Sequence, residues 1–302
     1  RLADGRLRHY GHDEIGGVDR PVYIESENLG LDWREHVRAA GDGDPMAMTK
    51  CPWAPYWLTV VDPGRDGRFE CLVSRTGPGG TVDARYPVAV RKTALVDCVR
   101  QPLPLVRRKR WLCAAQDLAP DGGRGYIAVV LLSDDDGKTW RRIDLDHYVR
   151  DAEKVLPRDG LPRWNNGCCE PSVAELSDGT LLMIVRATPG NHYSYVSKDG
   201  GETWTGPAKL PQFYASNTMP TLLRLSDGRL LFIWNNTWPL PKGKASDYPE
   251  LAGSWELTGV AEIVFTNRDA VHAAISDDDG RTWKGFRELL LNPIRNDADY
   301  RR

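Results

Sequence analysis

The chain has 302 residues, too many for one small core, so it holds either two ordinary domains or one large repeat domain. Lysine and arginine total 40 against 42 aspartate and glutamate, and no basic tract interleaves with aromatic residues, which argues against a nucleic-acid binder. No run of 18 apolar residues is present, so no membrane span is expected.

A short phrase of turn residues recurs along the chain. Its complete form is S-x-D-x-G-x-T-W, in which aspartate caps nearby amides and glycine supplies a positive φ. A strand-like run precedes each complete copy: YIAVVLLS, NHYSYVS and AVHAAIS. We therefore predict hairpin turns rather than acidic catalytic or metal-binding clusters. The copies are a degenerate SENLGLDW at 26–33, SDDDGKTW at 133–140, SKDGGETW at 197–204 and SDDDGRTW at 276–283.

A longer repeat surrounds two of these phrases. Residues 171–188 (PSVAELSDGTLLMIVRAT) match residues 220–237 (PTLLRLSDGRLLFIWNNT), and both indicate strand, Ser-Asp-Gly turn, strand. Another strand and a phrase follow each match, which makes a four-stranded unit of about 45 residues, typical of a propeller blade. The Pro- and Gly-rich segment 238–257 is predicted to be a surface loop near the working face.

The remaining segments give weaker signals. HDEIGG (12–17) and residues 146–157 are predicted to hold short helices at most. The basic run 107–110 is predicted to be a solvated turn before a strand that starts at Trp111. We predict a single all-β domain over residues 1–302, without a linker.

Cysteine usage argues against covalent or metal cross-links. Six cysteines are too few for a disulfide scaffold, and the adjacent Cys168 and Cys169 are not expected to bridge each other. The chain has no CxxC pair and no HExxH motif, so we expect no metal site and no other cofactor.

The phrase S-x-D-x-G-x-T-W resembles the Asp box of the sialidase superfamily, whose members are six-bladed β-propellers. The resemblance covers essentially the whole chain and implies a sialidase-like propeller. About five blades can be counted, so the last blade is expected to be incomplete in this chain. In that superfamily the Asp boxes lie on blade-edge turns away from the active site, which implies a structural role for Asp135, Asp199 and Asp278.

Two segments resemble the parts of sialidases that carry site residues. Residues 168–188 resemble a pattern that implies Glu170 as the partner of a tyrosine nucleophile and Arg186 as one arginine of a triad that grips the sugar carboxylate. Residues 266–283 imply Arg268 as a second triad arginine, and Tyr300 matches the tyrosine by spacing, without its usual Gly/Ser context. The first triad arginine and the acid/base aspartate have no clear counterpart, and Asp269 is the fallback acid.

The residues alone leave structural alternatives open. Glu170 precedes a strand and is either a solvated loop residue or a catalytic carboxylate. Arg186 ends an apolar strand and needs a partner, which is Glu170, a substrate carboxylate or both. His272 is favoured as an ordinary strand residue.

Further candidates could contact a sugar. The pairs Asn165-Asn166 and Asn235-Asn236 suit sugar hydroxyls and tight turns equally, so Asn166 and Asn235 are candidate ligands. Arg75 is a candidate anion ligand, and the aromatic residues of CPWAPYW (51–57) either stack on a sugar or pack in the core.

These features predict an exo-acting glycoside hydrolase that acts on a terminal acidic sugar, of sialic type or uronic acid. The alternatives are an exo-lyase on a uronate-containing polysaccharide and a non-catalytic glycan-binding propeller. The expected partner is a glycan or oligosaccharide, and the resemblance favours a secreted or periplasmic location.

Overall fold

The computed structural model describes eleven stretches of the chain: 4–15, 18–37, 56–61, 70–76, 82–88, 102–118, 126–145, 167–187, 191–215, 218–236 and 270–291. Side chains are described within these stretches except at 10–15, at 18–21, at 118 and in the three stretches between 56 and 88.

Eighteen β-strands and no helix lie within these stretches, which confirms the all-β class. The strands are β1 Leu7–Ile15, β2 Val18–Ser26, β3 Arg34–Val37, β4 Tyr56–Val61, β5 Glu70–Thr76, β6 Val82–Val88, β7 Leu103–Leu105, β8 Arg110–Leu118, β9 Tyr126–Ser133, β10 Arg141–Asp144, β11 Cys169–Glu175, β12 Leu181–Arg186, β13 Asn191–Ser197, β14 Thr205–Tyr214, β15 Thr221–Arg224, β16 Leu230–Asn236, β17 Ala270–Ser276 and β18 Lys284–Leu291.

The strands form five antiparallel sheets, in each of which every strand pairs with the next along the chain. Sheets 1 (β1–β3) and 2 (β4–β6) have three strands, whereas sheets 3 (β7–β10), 4 (β11–β14) and 5 (β15–β18) have four. A four-stranded meander is the construction of a propeller blade. The predicted hairpins at 171–188 and 220–237 are confirmed, because they become β11–β12 and β15–β16. The sixth blade of the predicted ring is not among the described residues.

Sheets 3, 4 and 5 are stacked face to face. Strand β9 is buried at seven of its eight positions because sheet 3 is covered on both sides. Between sheets 3 and 4, Leu112 and Val130 pack with Leu181 and Met183, and Ile184 faces sheet 5 instead, as the alternation of a strand requires. Between sheets 4 and 5, the core contains an aromatic cluster formed by Phe213, Phe232, Trp234 and Trp283.

The repeated phrases occupy equivalent turns, as predicted. Each phrase connects the last two strands of its sheet: β2 to β3, β9 to β10, β13 to β14 and β17 to β18. We call this end of the sheets the box end. Neighbouring strands are antiparallel, so in the four-stranded sheets the first strand starts, and the second strand ends, at the opposite end.

Each complete phrase closes its turn with local hydrogen bonds. In the copy at 133–140, the Gly137 amide donates to Ser133 Oγ at 2.8 Å, and the Thr139 hydroxyl donates to Asp135 Oδ2 at 2.6 Å. The indole of Trp140 donates to the Gly137 carbonyl at 2.9 Å, which folds the ring back over the turn. The copies at 197–204 and 276–283 repeat these bonds.

These bonds hold the box carboxylates in the ionised form. Bonds from the Thr139 hydroxyl and amide lower the pKa of Asp135 to about 2. Burial opposes this at Asp199, but bonds from Thr203 outweigh it and the pKa is again about 2. Bonds from Thr282 lower the pKa of Asp278 to about 2. Each carboxylate is engaged within its own turn, which supports the structural role.

In the degenerate copy at 26–33, the side chains at the third and seventh positions exchange their donor and acceptor roles. Asn28 replaces the aspartate and Asp32 replaces the threonine. The side-chain oxygen of Asn28 accepts the backbone amide of Asp32 at 2.9 Å, and Asn28 Nδ2 donates to Asp32 Oδ2 at 2.7 Å. The side chain at the third position is now the donor and the side chain at the seventh position the acceptor, so the turn keeps its shape.

Two predictions need correction. The short helix predicted at 12–17 is wrong, because His12–Ile15 belong to β1, where they pair with β2.

The basic run at 107–110 does form an exposed turn before β8, but it is not only solvated. Arg107 donates to the Ser177 carbonyl at 2.5 Å, and Arg110 donates to Glu202 at 2.6 Å, so the turn ties sheet 3 to sheet 4. Segments 146–157 and 238–257 lie outside the described residues.

The cysteines behave as predicted where they are described. Cys113, Cys168 and Cys169 are buried and not disulfide-bonded, so the adjacent pair forms no bridge.

A histidine is enclosed in the core between sheets 4 and 5. His192 is fully buried; its Nδ1 lies 3.2 Å from the Val185 carbonyl, and its ring meets Phe232 edge-on. Its Nε2 is buried and has no hydrogen-bond partner. Burial lowers the pKa of His192 to about 4, and the charge of Arg186 acts in the same direction, so the ring is neutral near pH 7.

The reversed pair at 26–33 yields a double-mutant test in sheet 4. Thr203→Asp should destabilise the protein by about 1 kcal/mol, because it sets a second carboxylate against Asp199. Adding Asp199→Asn should restore most of that loss by recreating the Asn–Asp pair. Urea denaturation of the wild type, both single variants and the double variant at pH 7 measures the coupling. Additive effects of the two substitutions would contradict this account of the turn.

The neutral His192 predicts a pH dependence of stability. The folded-state pKa lies below the ordinary value of 6.5, so the unfolded chain binds more protons as the pH falls from 6.5 to about 4. The free energy of unfolding should therefore decrease across that window, by on the order of 3 kcal/mol in total. The decrease should be smaller in His192→Gln and unchanged in His9→Gln, which alters an exposed histidine. Equal pH slopes in all three proteins, measured by urea denaturation, would refute the assignment.

Candidate functional site

Glu170 and Arg186 lie side by side at the end of sheet 4 opposite the box end. Glu170 is the second residue of β11, and Arg186 is the last residue of β12. Cys169 and Arg186 are cross-strand partners in the ladder, which brings the neighbouring Glu170 within reach of the guanidinium. Of the partners that the sequence leaves open for Arg186, the structure places Glu170 beside it.

A β-bulge sets the direction of the Glu170 side chain. The register shifts between Cys169 and Ser172, because Cys169 pairs with Arg186 while Ser172 pairs with Ile184. Glu170 takes a left-handed backbone conformation, with φ at +48°, which costs a non-glycine residue roughly 1–2 kcal/mol. Bulges re-aim side chains near functional sites, and strained residues persist where their surroundings determine them.

The two side chains form a largely buried ion pair. Arg186 Nη1 donates to Glu170 Oε1 at 2.8 Å, and the side chains are 16% and 13% exposed, respectively. Glu170 is therefore not a solvated loop residue. Each side chain keeps a small exposed fraction, although Glu170 Oε2 itself is buried.

Sequence reasoning missed two neighbours of this pair. Gln116, near the end of β8, accepts the Glu170 backbone amide on its side-chain oxygen at 2.8 Å. His192 lies close enough for Arg186 to influence its pKa. The only sequence signals were a glutamine within the mostly apolar strand WLCAAQDL and a histidine in the strand NHYSYVS.

The other predicted site residues are described in part or not at all. Asn235 is half-buried near the end of β16, where its backbone pairs with Val271, at the same end of sheet 5 as Glu170 in sheet 4. Arg75 is the penultimate residue of β5, and its side chain is not described. His272 sits within β17 opposite Trp234, as an ordinary strand residue would. Arg268, Asp269, Tyr300 and Asn166 lie outside the described residues, so their convergence with Glu170 stays a prediction.

Two further kinds of site, a metal-binding cluster and a membrane-spanning helix, are absent from the described stretches. Among their side chains, no group of three or more His, Cys, Asp or Glu residues could hold a metal ion. None of their secondary structure is a helix long and apolar enough to cross a membrane.

Comparison with known proteins places the chain among sialidase-like sequences. A sialidase of Clostridium perfringens is 34% identical over an alignment of 111 residues that covers 34% of this chain and 27% of that protein. A sialidase of Paraclostridium sordellii is 28% identical over an alignment of 183 residues that covers 58% of this chain and 40% of that protein. The matched region thus spans less than half of each of these relatives.

Solved sialidases are similar to the chain at low identity. The NanB sialidase of Streptococcus pneumoniae matches 95% of this chain and 35% of its own, with a TM-score of 0.48 and 17% identity. A Trypanosoma rangeli sialidase in complex with sialic acid matches 97% of this chain and 47% of its own, with a TM-score of 0.45 and 14% identity.

The family of the BNR repeat-like domain matches residues 82–300, which contain the three complete phrases, Glu170 and Arg186. Because this match covers more than half of the sequence, the chain belongs to the BNR repeat-like domain family.

Proposed function

We propose that this chain is an exo-acting glycoside hydrolase that removes a terminal acidic sugar, of sialic or uronic type, from a glycan. The observation that carries the proposal is the Glu170–Arg186 pair, held at a strained bulge at the end of the blade opposite the structural turns. Similarity to two curated sialidases over part of their length supports the reaction class.

Arg186 is proposed to bind the carboxylate of the substrate. A guanidinium presents several N–H donors in one plane and can pair with Glu170 on one edge and a second carboxylate on another. The nearby His192 is neutral above about pH 5 because its pKa is about 4, so it adds no charge to that of Arg186. Arg268 is proposed as the second carboxylate ligand, with Arg75, Asn166 and Asn235 as further sugar contacts.

Glu170 is proposed to act as a general base. A carboxylate in this position can accept a proton from a nucleophile. Tyr300, matched by its spacing after Arg268, is the proposed nucleophile, and Asp269, beside Arg268, is the proposed fallback acid. With a phenol as nucleophile, Glu170 takes the phenolic proton as the oxygen attacks the anomeric carbon, and the acid protonates the departing glycosidic oxygen.

Replacing Glu170 tests the chemical step. Glu170→Gln should lower kcat on an aryl glycoside of an acidic sugar by about 10²- to 10⁴-fold, the contribution of a general base. The melting temperature should stay near the wild-type value, because glutamine fills the same space and still accepts a hydrogen bond from Arg186. Release of the aryl group and thermal denaturation measure the two quantities.

The same assay separates the alternatives. Unchanged activity in Glu170→Gln would remove this carboxylate from the mechanism. Ultraviolet absorbance of an unsaturated uronate product would indicate the lyase, and glycan binding without turnover in the wild type would indicate a binding module.

Replacing Arg186 tests the charge of the substrate. Arg186→Ala should lower kcat/KM on the acidic sugar by about 30- to 1000-fold, equivalent to about 2–4 kcal/mol. The loss should be much smaller on the methyl ester of the same sugar, which lacks the anionic charge. Arg186→Lys is the matched control, since it keeps the charge beside Glu170 but loses the planar fork, and it should fall between the wild type and alanine. Equal losses on both substrates with a lowered melting temperature would leave Arg186 a structural brace.

A further inference from the structure

We infer that Gln116 is a positioning residue that holds the Glu170 backbone in its left-handed conformation and so directs the carboxylate towards Arg186. The inference rests on the proposed function, in which the Glu170 carboxylate is the general base. Gln116 belongs to sheet 3 and Glu170 to sheet 4, so the orientation of a site residue in one blade depends on its neighbour.

The contact between the two residues is short and shielded. Gln116 is 4% exposed, near the end of β8, a strand that packs against β11. Its side-chain oxygen accepts the Glu170 backbone amide at 2.8 Å. At the bulge, Glu170 and Pro171 lie between the paired residues Cys169 and Ser172. The hydrogen-bond partner of the Glu170 amide thus comes from another sheet.

Sheet 3 also fixes the residues just before Glu170. The Cys168 amide donates to the Tyr126 carbonyl at 3.0 Å. Gly167 has a φ of +49°, and a β-carbon there would lie 2.1 Å from the Tyr126 oxygen, so no side chain fits. Two hydrogen bonds and one close backbone approach therefore guide the chain from residue 167 to residue 170 past the start of β9 and the end of β8 in sheet 3.

Loss of the Gln116 acceptor should release the strain at Glu170. A left-handed glutamate is disfavoured, and an unsatisfied buried amide adds a further cost, so the backbone would relax towards an extended conformation. Cys169 is the ladder partner of Arg186, so these two side chains lie on the same face of sheet 4. In an extended strand the next residue, Glu170, points to the opposite face, so this relaxation would turn the carboxylate away from Arg186. Gln116 thus acts through Glu170 and makes no contact with the substrate.

The kinetic test uses two variants of Gln116 and one matched control. Gln116→Leu, which removes the acceptor, should lower kcat/KM on the acidic sugar by about 10- to 100-fold, mainly through kcat, as expected for a displaced reacting group. Gln116→Glu keeps an acceptor and should recover most of the rate. Its added carboxylate disfavours a second negative charge nearby, so the acidic limb of the pH–rate profile should move to higher pH.

Ser172→Ala is the control for a merely structural role. Ser172 is a buried residue of β11 in sheet 4, and its Oγ accepts the Leu222 amide of sheet 5 at 2.9 Å. Like Gln116, it therefore joins two sheets through its side chain. This variant should lose stability while its kcat/KM stays near the wild-type value. If Gln116→Leu behaves like Ser172→Ala, the inference is overturned. Should Gln116→Leu fail to fold, an unshifted pH–rate profile in Gln116→Glu overturns it.

A crystal structure of Gln116→Leu separates this inference from the proposed function. The expected result is that Glu170 leaves the left-handed region and its carboxylate parts from Arg186, whatever the substrate of the wild type. A wild type inactive on acidic sugars would defeat the proposed function, and the altered backbone would still support the positioning role. An unchanged Glu170 conformation in the variant would overturn the inference, even if the hydrolase assignment held.

Discussion

Sheet 4 packs one face against sheet 3 and the other against sheet 5, and most other features of the described molecule follow from this stacking. A strand in the middle of such a stack has no solvent-facing side, so its interior positions are apolar and its backbone groups are satisfied by the ladder. Polar side chains with a chemical task can then stand only where strands begin or end.

The two ends of the stack use their polar residues differently. At the box end, each phrase satisfies its own turn, and partly buried ion pairs such as that of Arg110 with Glu202 join neighbouring blades. The local hydrogen bonds of the phrase recur in sheets 3, 4 and 5 and give this end a repeated order. At the opposite end, Glu170 and Asn235 do not repeat from blade to blade, and a strained backbone is held by a neighbouring sheet. Repetition marks the part that builds the fold, and departure from it marks the candidate site.

Turn chemistry is local, and for this reason the sequence predicts it well. The three strands before the complete phrases run over the same residues as the predicted ones, and the Glu170–Arg186 pair was among the expected partnerships. The first sheet was harder, because residues 12–15 lack an apolar alternation and become a strand only through pairing with β2. The left-handed Glu170, its bond to Gln116 and the burial of His192 were not predictable. Each of these features depends on contacts with residues of another sheet, and the sequence of a single strand does not predict which residues those are.

The reversed pair at 26–33 also constrains how such turns can change by single substitutions. In the Asp–Thr form, replacing the threonine by aspartate first places two carboxylates together within one turn. Replacing the aspartate by asparagine first leaves an asparagine beside a hydroxyl that can still accept a hydrogen bond. The two steps therefore cannot occur in either order with equal ease, and the route through asparagine avoids a repulsive intermediate. A complete phrase that drifts in this way keeps its turn throughout, so the motif can become unrecognisable in sequence while the blade it closes stays the same.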